Sequence, residues 1–276
     1  MGVIVITGCS TGFGYHSALA FARRGDRVYA GMRKQKGDLA EVLAGEGLDA
    51  EVLPLDVDDD ASVATAIGGV LEREGRIDVL VNNAGHGGTA GAVEELRDDD
   101  WLSVMSTNFL GPIRCARAAI PSMRERGSGT IVNVSSVAGR MYGMPITGAY
   151  SASKHAVCSL SDTLKGELQD HGIGVACIEP GFFATSVLDN AVIPDATGSP
   201  YESMRRAVEE WYRTSLGAAP GPEPVVDTIL AAADGTLPAD TIHHLVGEEA
   251  ELFVGGMQQM SYADYQAMGR QMIGLA

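Results

Sequence analysis

Short uninterrupted apolar runs recur along the chain, each followed by a stretch whose apolar residues have helical spacing. The first run, Val3–Ile6, leads into a glycine-rich turn and then an alanine-rich helical stretch over about Gly12–Arg24. Further strand-like runs fall at Arg27–Met32, Ala50–Leu55, Ile77–Val81, Thr130–Val134 and Val175–Ile178, with a short seventh candidate at Ile242–Val246. None of them alternates polar with apolar residues, which is the pattern of strands covered on both faces of a parallel sheet. Strands separated by helices imply right-handed crossovers, so the pattern predicts an α/β fold with a doubly wound parallel sheet. Two stretches, Ala191–Pro200 and Gly217–Pro224, are rich in Pro, Gly and small residues and read as loops around a helical stretch near Tyr201–Ser215. The tail after Gly247 reads as helices packed on the same body. No repeat, low-complexity tract or linker breaks the rhythm, so residues 1–276 read as one domain: a cofactor half to about 135 and a catalytic and substrate-binding part from about 136.

Composition narrows the function. Hydrophobic residues make up 45% and charged residues 20% of the 276, ordinary for a globular protein, but the net charge is −16. Such a surface repels phosphate backbones and anionic lipid heads, so neither nucleic acid nor a membrane is expected as a partner. No stretch approaches the ~20 apolar residues of a membrane span. The N-terminal run is short and lacks a basic flank, and Ile6 stands where myristoylation needs Ser or Thr, so a cytoplasmic location is expected. Cys9, Cys115, Cys158 and Cys177 form no CxxC pair and no short spacing to His, so no disulfide framework and no metal site is expected.

Two local patterns point to a dinucleotide. The turn Thr7-Gly8-Cys9-Ser10-Thr11-Gly12-Phe13-Gly14 has the spacing GxxxGxG, one residue wider than the common GxGxxG fingerprint. Glycines there let the backbone approach a pyrophosphate, and the following helix N-terminus offers unpaired N–H groups to the anion. An acid at the end of the second strand would hold the ribose hydroxyl of NAD; this chain has Met32-Arg33-Lys34-Gln35-Lys36 instead. Basic residues at that position suit the 2′-phosphate, so NADP(H) is preferred and NAD(H) possible. A solvated helix start is the plainer reading of the same charges.

Tyr150-Ser151-Ala152-Ser153-Lys154 opens a helical stretch and sets Tyr150 and Lys154 one turn apart on one face. An ammonium beside a phenol favours phenolate and lowers its pKa, which fits a tyrosine to exchange a proton with an alcohol or carbonyl oxygen. Together with the glycine turn, Asn82-Asn83-Ala84-Gly85 and Asn133-Val134-Ser135-Ser136, this set resembles the short-chain dehydrogenase/reductase family, from about Val3 to Thr185. The motif wording is nearest the hydroxysteroid and retinol dehydrogenase branch. The resemblance implies a Rossmann-type doubly wound parallel sheet of about seven strands flanked by helices. It implies that Gly8, Ser10, Thr11, Gly12, Phe13 and Gly14 line the diphosphate and ribose, and that Arg33, assisted by Ser10, meets the 2′-phosphate. Asp56 and Val57 would lie at the adenine. Asn82, Asn83, Ala84 and Gly85 would shape the fourth strand end and the adenosine ribose. Asn108 would hold a water of a proton relay, Ser136 would bond the substrate oxygen, and Tyr150 would be the acid–base. Lys154 would lower the Tyr150 pKa and bind the nicotinamide ribose, while Pro180, Gly181, Phe183 and Thr185 would seat the nicotinamide. Ser136 precedes Tyr150 by fourteen residues, one more than is usual in the family, which implies an extra residue within Arg140–Gly148; Ser136 is preferred to Ser135, since adjacent strand side chains face opposite ways.

For several of these residues a structural role is the alternative: a turn cap for Asn83, a strand end for Asp56, an ordinary helix position for Asn108, and a kink or first turn for Pro112. His86, just after Gly85, could touch substrate, but a loop histidine in water is the plainer reading. Met141-Tyr142-Gly143-Met144-Pro145-Ile146 on one side, and Phe182-Phe183 through Trp211-Tyr212 with Val187, Leu188, Val192 and Ile193 on the other, suggest an apolar pocket for a hydrophobic alcohol or ketone, or core packing under a lid. No basic cluster stands ready for an anionic substrate. The sequence thus implies an NADP(H)-dependent alcohol dehydrogenase or carbonyl reductase, by family analogy a homodimer or homotetramer; the rival is a non-catalytic, dinucleotide-sensing regulator on the same fold.

Overall fold

The computed structural model describes residues 1–34, 37–185, 191–195 and 197–275; Lys36 of the basic cluster and Val187 and Leu188 of the apolar flank lie outside the described residues. Seven parallel strands make one sheet: β1 (Val3–Thr7), β2 (Arg27–Met32), β3 (Ala50–Pro54), β4 (Val79–Asn82), β6 (Gly129–Val134), β7 (Ile173–Pro180) and β9 (His243–Val246). Their order is β3-β2-β1-β4-β6-β7-β9. The chain winds outward from β1 in one direction, then returns to β4 and winds in the other, so a crevice opens between the C-terminal ends of β1 and β4. This is the Rossmann-type sheet that the resemblance implied. β4 begins two residues later than the apolar run suggested, because Ile77 packs in the core before the ladder starts.

Period-2 alternation divides the buried strand residues between the two faces. Ile4 and Ile6 of β1 pack with Phe21 of α1 (Gly12–Arg23) and Ile229 of α8 (Glu223–Ala233). Val3 and Val5 pack instead with Ile67 of α3 (Asp60–Glu74), Met123 of α5 (Gly111–Arg126) and Leu164 of α6 (Gly148–Leu168). Both faces are covered, which is why the strands read as unbroken apolar runs. Each fully buried branched side chain contributes about 1.5–3 kcal/mol.

Three features position the site. The helix α4 (Asp98–Met105) widens into a π-helical turn, Ser106–Leu110, before α5, and the Gly111 N–H reaches back five residues to Ser106 O. Pro112, in the first turn of α5, has no N–H to close an α-helical bond to Asn108 O, so proline marks an early turn here. The segment Ala191–Val192, which read as loop, pairs in parallel with Gly88–Thr89 as a two-strand bridge, β8 with β5; two residues are too few to show a period. The helix α7 (Glu202–Gly217) and the tail helix α9 (Glu248–Gln259) bring Val208 and Phe253 to an apolar cavity, and Tyr265 of α10 (Tyr262–Met272) packs in one cluster with Phe253. Among the described residues no helix is long and apolar enough to cross a membrane.

Candidate active site

The glycine turn after β1 is shaped by close contact with the chain after β4. Gly8 has φ +74°, and a Cβ there would stand 2.7 Å from Ala84 Cα. A Cβ on Gly14 would stand 2.5 Å from both Gly8 O and Asn83 Nδ2. The Asn83 amide donates to Thr7 O (2.9 Å) and Gly8 O (3.1 Å), while Thr7 Oγ1 accepts the N–H groups of Asn83 and Ala84, both at 3.0 Å. Asn83 therefore staples the glycine turn rather than capping a turn of its own. Asn82, beneath it, donates to Asn133 (2.9 Å), which donates to Ser161 (2.9 Å), tying β4, β6 and α6 together.

A cleft of about 520 Å³ opens over this turn. Gly8, Ser10, Thr11, Gly12 and Phe13 form its floor, and Asn83, Ala84 and Gly85 one wall. Arg33 and Lys34 stand exposed at its far end, without an ion pair among the described residues. Asp56 lines it, as does Asp58, which sequence reasoning did not single out and which accepts from Thr107 Oγ1 at 2.8 Å. Gly14 lies beneath the turn. Val57 is not on the cleft: it is buried, and Gly111 lies so close that a Cβ there would meet Val57 Cγ2 at 2.9 Å. His86 is also not in open water. It lines the cleft half-buried, its Nδ1 accepts the Gly88 N–H at 3.1 Å, and burial holds its pKa below the usual imidazole value.

A smaller cavity of about 210 Å³ adjoins the cleft. The two apolar flanks expected from the sequence meet there: Met141, Met144 and Ile146 on one side, Phe182, Phe183, Trp211 and Tyr212 on the other, with Ile193. Pro180 and Gly181, expected at the nicotinamide, line this cavity rather than the larger cleft. Tyr142 turns away to stack edge-on with Tyr262 and Tyr265, and Val192 is exposed. Phe253 of α9, with Val208 and Leu216 of α7, completes the lining and escaped the sequence reading, because an apolar position in an amphipathic helix carries no motif. Against expectation, Arg205 and Arg213 also line the cavity. Both are neutralised, Arg205 by Glu95 at 2.6 Å and Arg213 by Glu209 (2.6 Å) and Glu210 (2.7 Å), so no free cation awaits an anionic substrate among them.

Phe13, Ser135, Tyr150 and Thr185 line both spaces, so Tyr150 stands on their common wall. Ser136 and Tyr150 line the same cavity, and Ser136 Oγ accepts the Ala138 N–H at 3.2 Å. The Ser135 hydroxyl is buried and donates to Lys154 O at 3.0 Å, so of these two serines it is Ser136 that offers its hydroxyl to the smaller cavity. The stretch Arg140–Gly148, where an extra residue was expected, holds Ile146 at φ +71°, the one non-glycine residue with positive φ among the described residues. Lys154 Nζ donates to Val134 O at 3.0 Å and lies 5.7 Å from the centroid of the Tyr150 ring. Burial lowers its pKa to about 8. The Tyr150 phenol is raised above its ordinary value, because enclosure outweighs the opposing effect of the Ser136 hydroxyl. The lowering by Lys154 expected from the sequence is not what this geometry gives: at that separation, desolvation of the phenol decides.

Asn108 is buried and hydrogen-bonded through both atoms of its amide. Nδ2 donates to His86 O and Ser153 Oγ, both at 3.0 Å, and Oδ1 accepts the His86 N–H at 2.9 Å. The side chain thus joins the loop after β4 to α6, directly beneath Gly85, and lines neither cavity.

Residues 2–194 match the family described as short chain dehydrogenase. The chain is 38% identical over 196 residues to a 3-ketodihydrosphingosine reductase of Bacteroides thetaiotaomicron, covering 71% of this chain and 69% of the relative. It is 36% identical over 245 residues to a ketoacyl reductase assigned to the monensin polyketide synthase in Streptomyces virginiae, covering 87% and 90%. A short-chain dehydrogenase from Streptomyces avermitilis superposes with a TM-score of 0.83 at 31% identity over 100% of both chains. A Burkholderia phymatum short chain dehydrogenase/reductase solved with NAD superposes at 0.80 with 26% identity, covering 97% and 95%. A metagenomic short-chain oxidoreductase solved with NADP does so at 0.70 with 26% identity, covering 89% and 96%. With the sheet order, the glycine turn and the Tyr150–Lys154 pair, these likenesses make the chain a member of the short-chain dehydrogenase/reductase family of oxidoreductases.

Proposed function

We propose that this protein is an NADP(H)-dependent oxidoreductase that interconverts a carbonyl and a secondary alcohol on a hydrophobic substrate, with Tyr150 as acid–base. The observation that carries this reading is the place of Tyr150 on the wall shared by a long polar cleft and a short apolar cavity. A dinucleotide fits the cleft: Gly8 and Gly14 let the turn pack directly against Asn83 and Ala84, where a Cβ would collide, and about 520 Å³ lies open above that turn. Ser10, Thr11, Gly12 and Phe13 would hold its diphosphate side and Asp56 its adenine. Asn83, Ala84 and Gly85 would lie along the ribose, and Thr185 at the nicotinamide end. Solved neighbours carry NAD in one case and NADP in another, so the preference for NADP(H) rests on Arg33 and Lys34, exposed at the cleft end without an acidic partner.

The nicotinamide supplies or accepts the hydride. Ser136 orients the substrate oxygen towards Tyr150, and the Tyr150 hydroxyl gives that oxygen its proton on reduction or removes it on oxidation. Enclosure raises the Tyr150 phenol above its ordinary value, which keeps it in the proton-donor form. Lys154 holds a positive charge between Val134 O and the cleft, where it would bind the ribose and replace the proton that Tyr150 loses. Asn108 keeps the loop after β4 and α6 in register. Met141, Phe182, Trp211 and Phe253 exclude water and favour an apolar substrate. The non-catalytic sensor is disfavoured, because it needs neither Ser136 and Tyr150 on one cavity wall nor that cavity beside the cleft.

The test is NADPH consumption over a panel of hydrophobic ketones with wild type and Tyr150→Phe. Loss of the proton donor lowers kcat by about 10²–10⁴, while NADPH affinity, measured by nucleotide fluorescence, stays within about twofold because the ring remains. A variant that keeps wild-type kcat overturns the assignment.

A further inference from the structure

Four donor-bearing side chains that this reaction does not use meet where α6 packs against β7 and β9, one helical turn along α6 from Lys154. Cys158 comes from α6, Cys177 and Glu179 from β7 and His243 from β9, and their ligand atoms all lie within 4.8 Å of one another. The fold explains the meeting. Cys177 and Glu179 are two apart on a strand and face the same way, and His243 is the register partner of Cys177 across the β7–β9 pair. Along the chain the four are scattered, which is why no metal motif was legible.

We propose that Cys158, Cys177, Glu179 and His243 form a closed four-ligand zinc site that fastens α6 to β7 and β9. Two thiols, one imidazole and one carboxylate match the donor preference of zinc, and the thiols argue against magnesium or calcium. Ligands of tetrahedral zinc at about 2.0–2.3 Å from the metal lie roughly 3.3–3.8 Å apart, so the widest pair has about 1 Å to close. His243 is already turned for the task. Its Nδ1 faces the cluster, 2.5 Å from Glu179 Oε1, and its Nε2 meets Asp162 at 2.9 Å. A carboxylate on the outer nitrogen is the usual partner of a metal-bound histidine. Charge also balances: two thiolates and a carboxylate around a divalent ion leave one negative charge, and Arg140 lies 3.4 Å from Glu179 to offset it. Cys158, Cys177 and Glu179 are buried, so the site is screened from solvent on the strand side. All four positions are taken by protein, which makes the site structural rather than reactive. Cys158 lies one helical turn beyond Lys154, and the Ser135 hydroxyl touches both Lys154 O (3.0 Å) and Cys158 Sγ (3.3 Å), so the metal would steady the helix that carries Tyr150.

The experiment uses the full chain without a histidine tag, exhaustively dialysed against metal-free buffer, with zinc counted by plasma mass spectrometry. The expected result is about one zinc per chain. Protein stripped with a chelator and titrated with Co²⁺ should develop the visible bands of tetrahedral cobalt and a thiolate-to-cobalt charge-transfer band, saturating at one equivalent and erased by Zn²⁺. Cys158→Ser should weaken the charge-transfer band. His243→Ala, at a half-buried position that the fold tolerates more readily, should lower zinc affinity at least tenfold while keeping thiolate absorption. Protein that retains no zinc and gives no charge-transfer band overturns the proposal. So does a band unchanged in Cys158→Ser, which would place the metal elsewhere. In either case the cluster is a network in which protonated His243 and Arg140 neutralise Glu179.

Discussion

Replacing Arg33 by alanine separates the cofactor assignment from every other part of the site. Arg33 follows directly on β2, is exposed, lines the cleft and has no carboxylate partner among the described residues. Nothing in the fold leans on it, so Arg33→Ala should leave stability within about 0.5 kcal/mol of wild type. A hydrogen bond between charged groups is worth about 1.5–3 kcal/mol when sheltered, and screening at this exposed position takes it toward about 1–2 kcal/mol. At about 1.4 kcal/mol per factor of ten, Kd for NADPH should rise roughly 5- to 30-fold. The adjacent Lys34 keeps part of the attraction, so a double variant with Lys34→Ala should go further. NADH has no 2′-phosphate, and its Kd should move by less than about twofold. Calorimetric titration of both nucleotides at low and high salt is the assay, and the wild-type advantage for NADPH should shrink as salt screens it. Equal losses for NADPH and NADH, or none for either, would refute the reasoning.

Three further substitutions probe the rest of the site. In Gly14→Ala the new Cβ would meet Asn83 Nδ2 and Gly8 O at 2.5 Å; overpacking of this kind costs about 1–3 kcal/mol, and urea unfolding should show it along with weakened binding of both nucleotides. Lys154→Met tests the cost of burying a charge. The Lys154 pKa is about 8 in the fold against an ordinary 10.5, so at about 1.36 kcal/mol per unit the charge costs up to about 3 kcal/mol. A folded pKa below the unfolded one means that this cost is present in full below pH 8 and vanishes as pH rises to 10.5. The inactive variant should therefore be the more stable at pH 7, with an advantage that fades through that window; a constant difference would contradict the burial argument. Val208→Phe adds bulk to the wall of the apolar cavity. It should cut kcat/KM for large ketones about tenfold and spare small ones, and a uniform loss across sizes would show that this cavity does not receive the substrate.

Local sequence was enough for the sheet and the glycine-lined cleft, because both depend on short-range chemistry. A parallel strand buried on two faces must be a run of apolar residues, and a turn that approaches an anion needs glycine where a Cβ would collide, as at Gly8 and Gly14. Tyr150 and Lys154 were legible as a pair because one helical turn joins them. Their electrostatics were not: whether Lys154 lowers the phenol depends on distance and desolvation, and here enclosure raises it. Val57 and Asn108 show the same limit, since a motif names a residue but only packing decides whether its side chain reaches a cavity or is spent holding two elements together.

Contacts between segments far apart in the chain belonged to the tertiary structure alone. Phe253 joins the apolar cavity from the tail, and Arg205 enters its lining already neutralised by Glu95. Cys158, Cys177, Glu179 and His243 converge because α6 lies across β7 and β9 with a particular register. The chain alone settled what kind of sheet forms and marked the glycine turn and the Tyr150–Lys154 pair as the candidate site. Only the three-dimensional packing settled which side chains share a wall, because proximity across a sheet is set by strand order and register, and neither is written in spacing along the sequence.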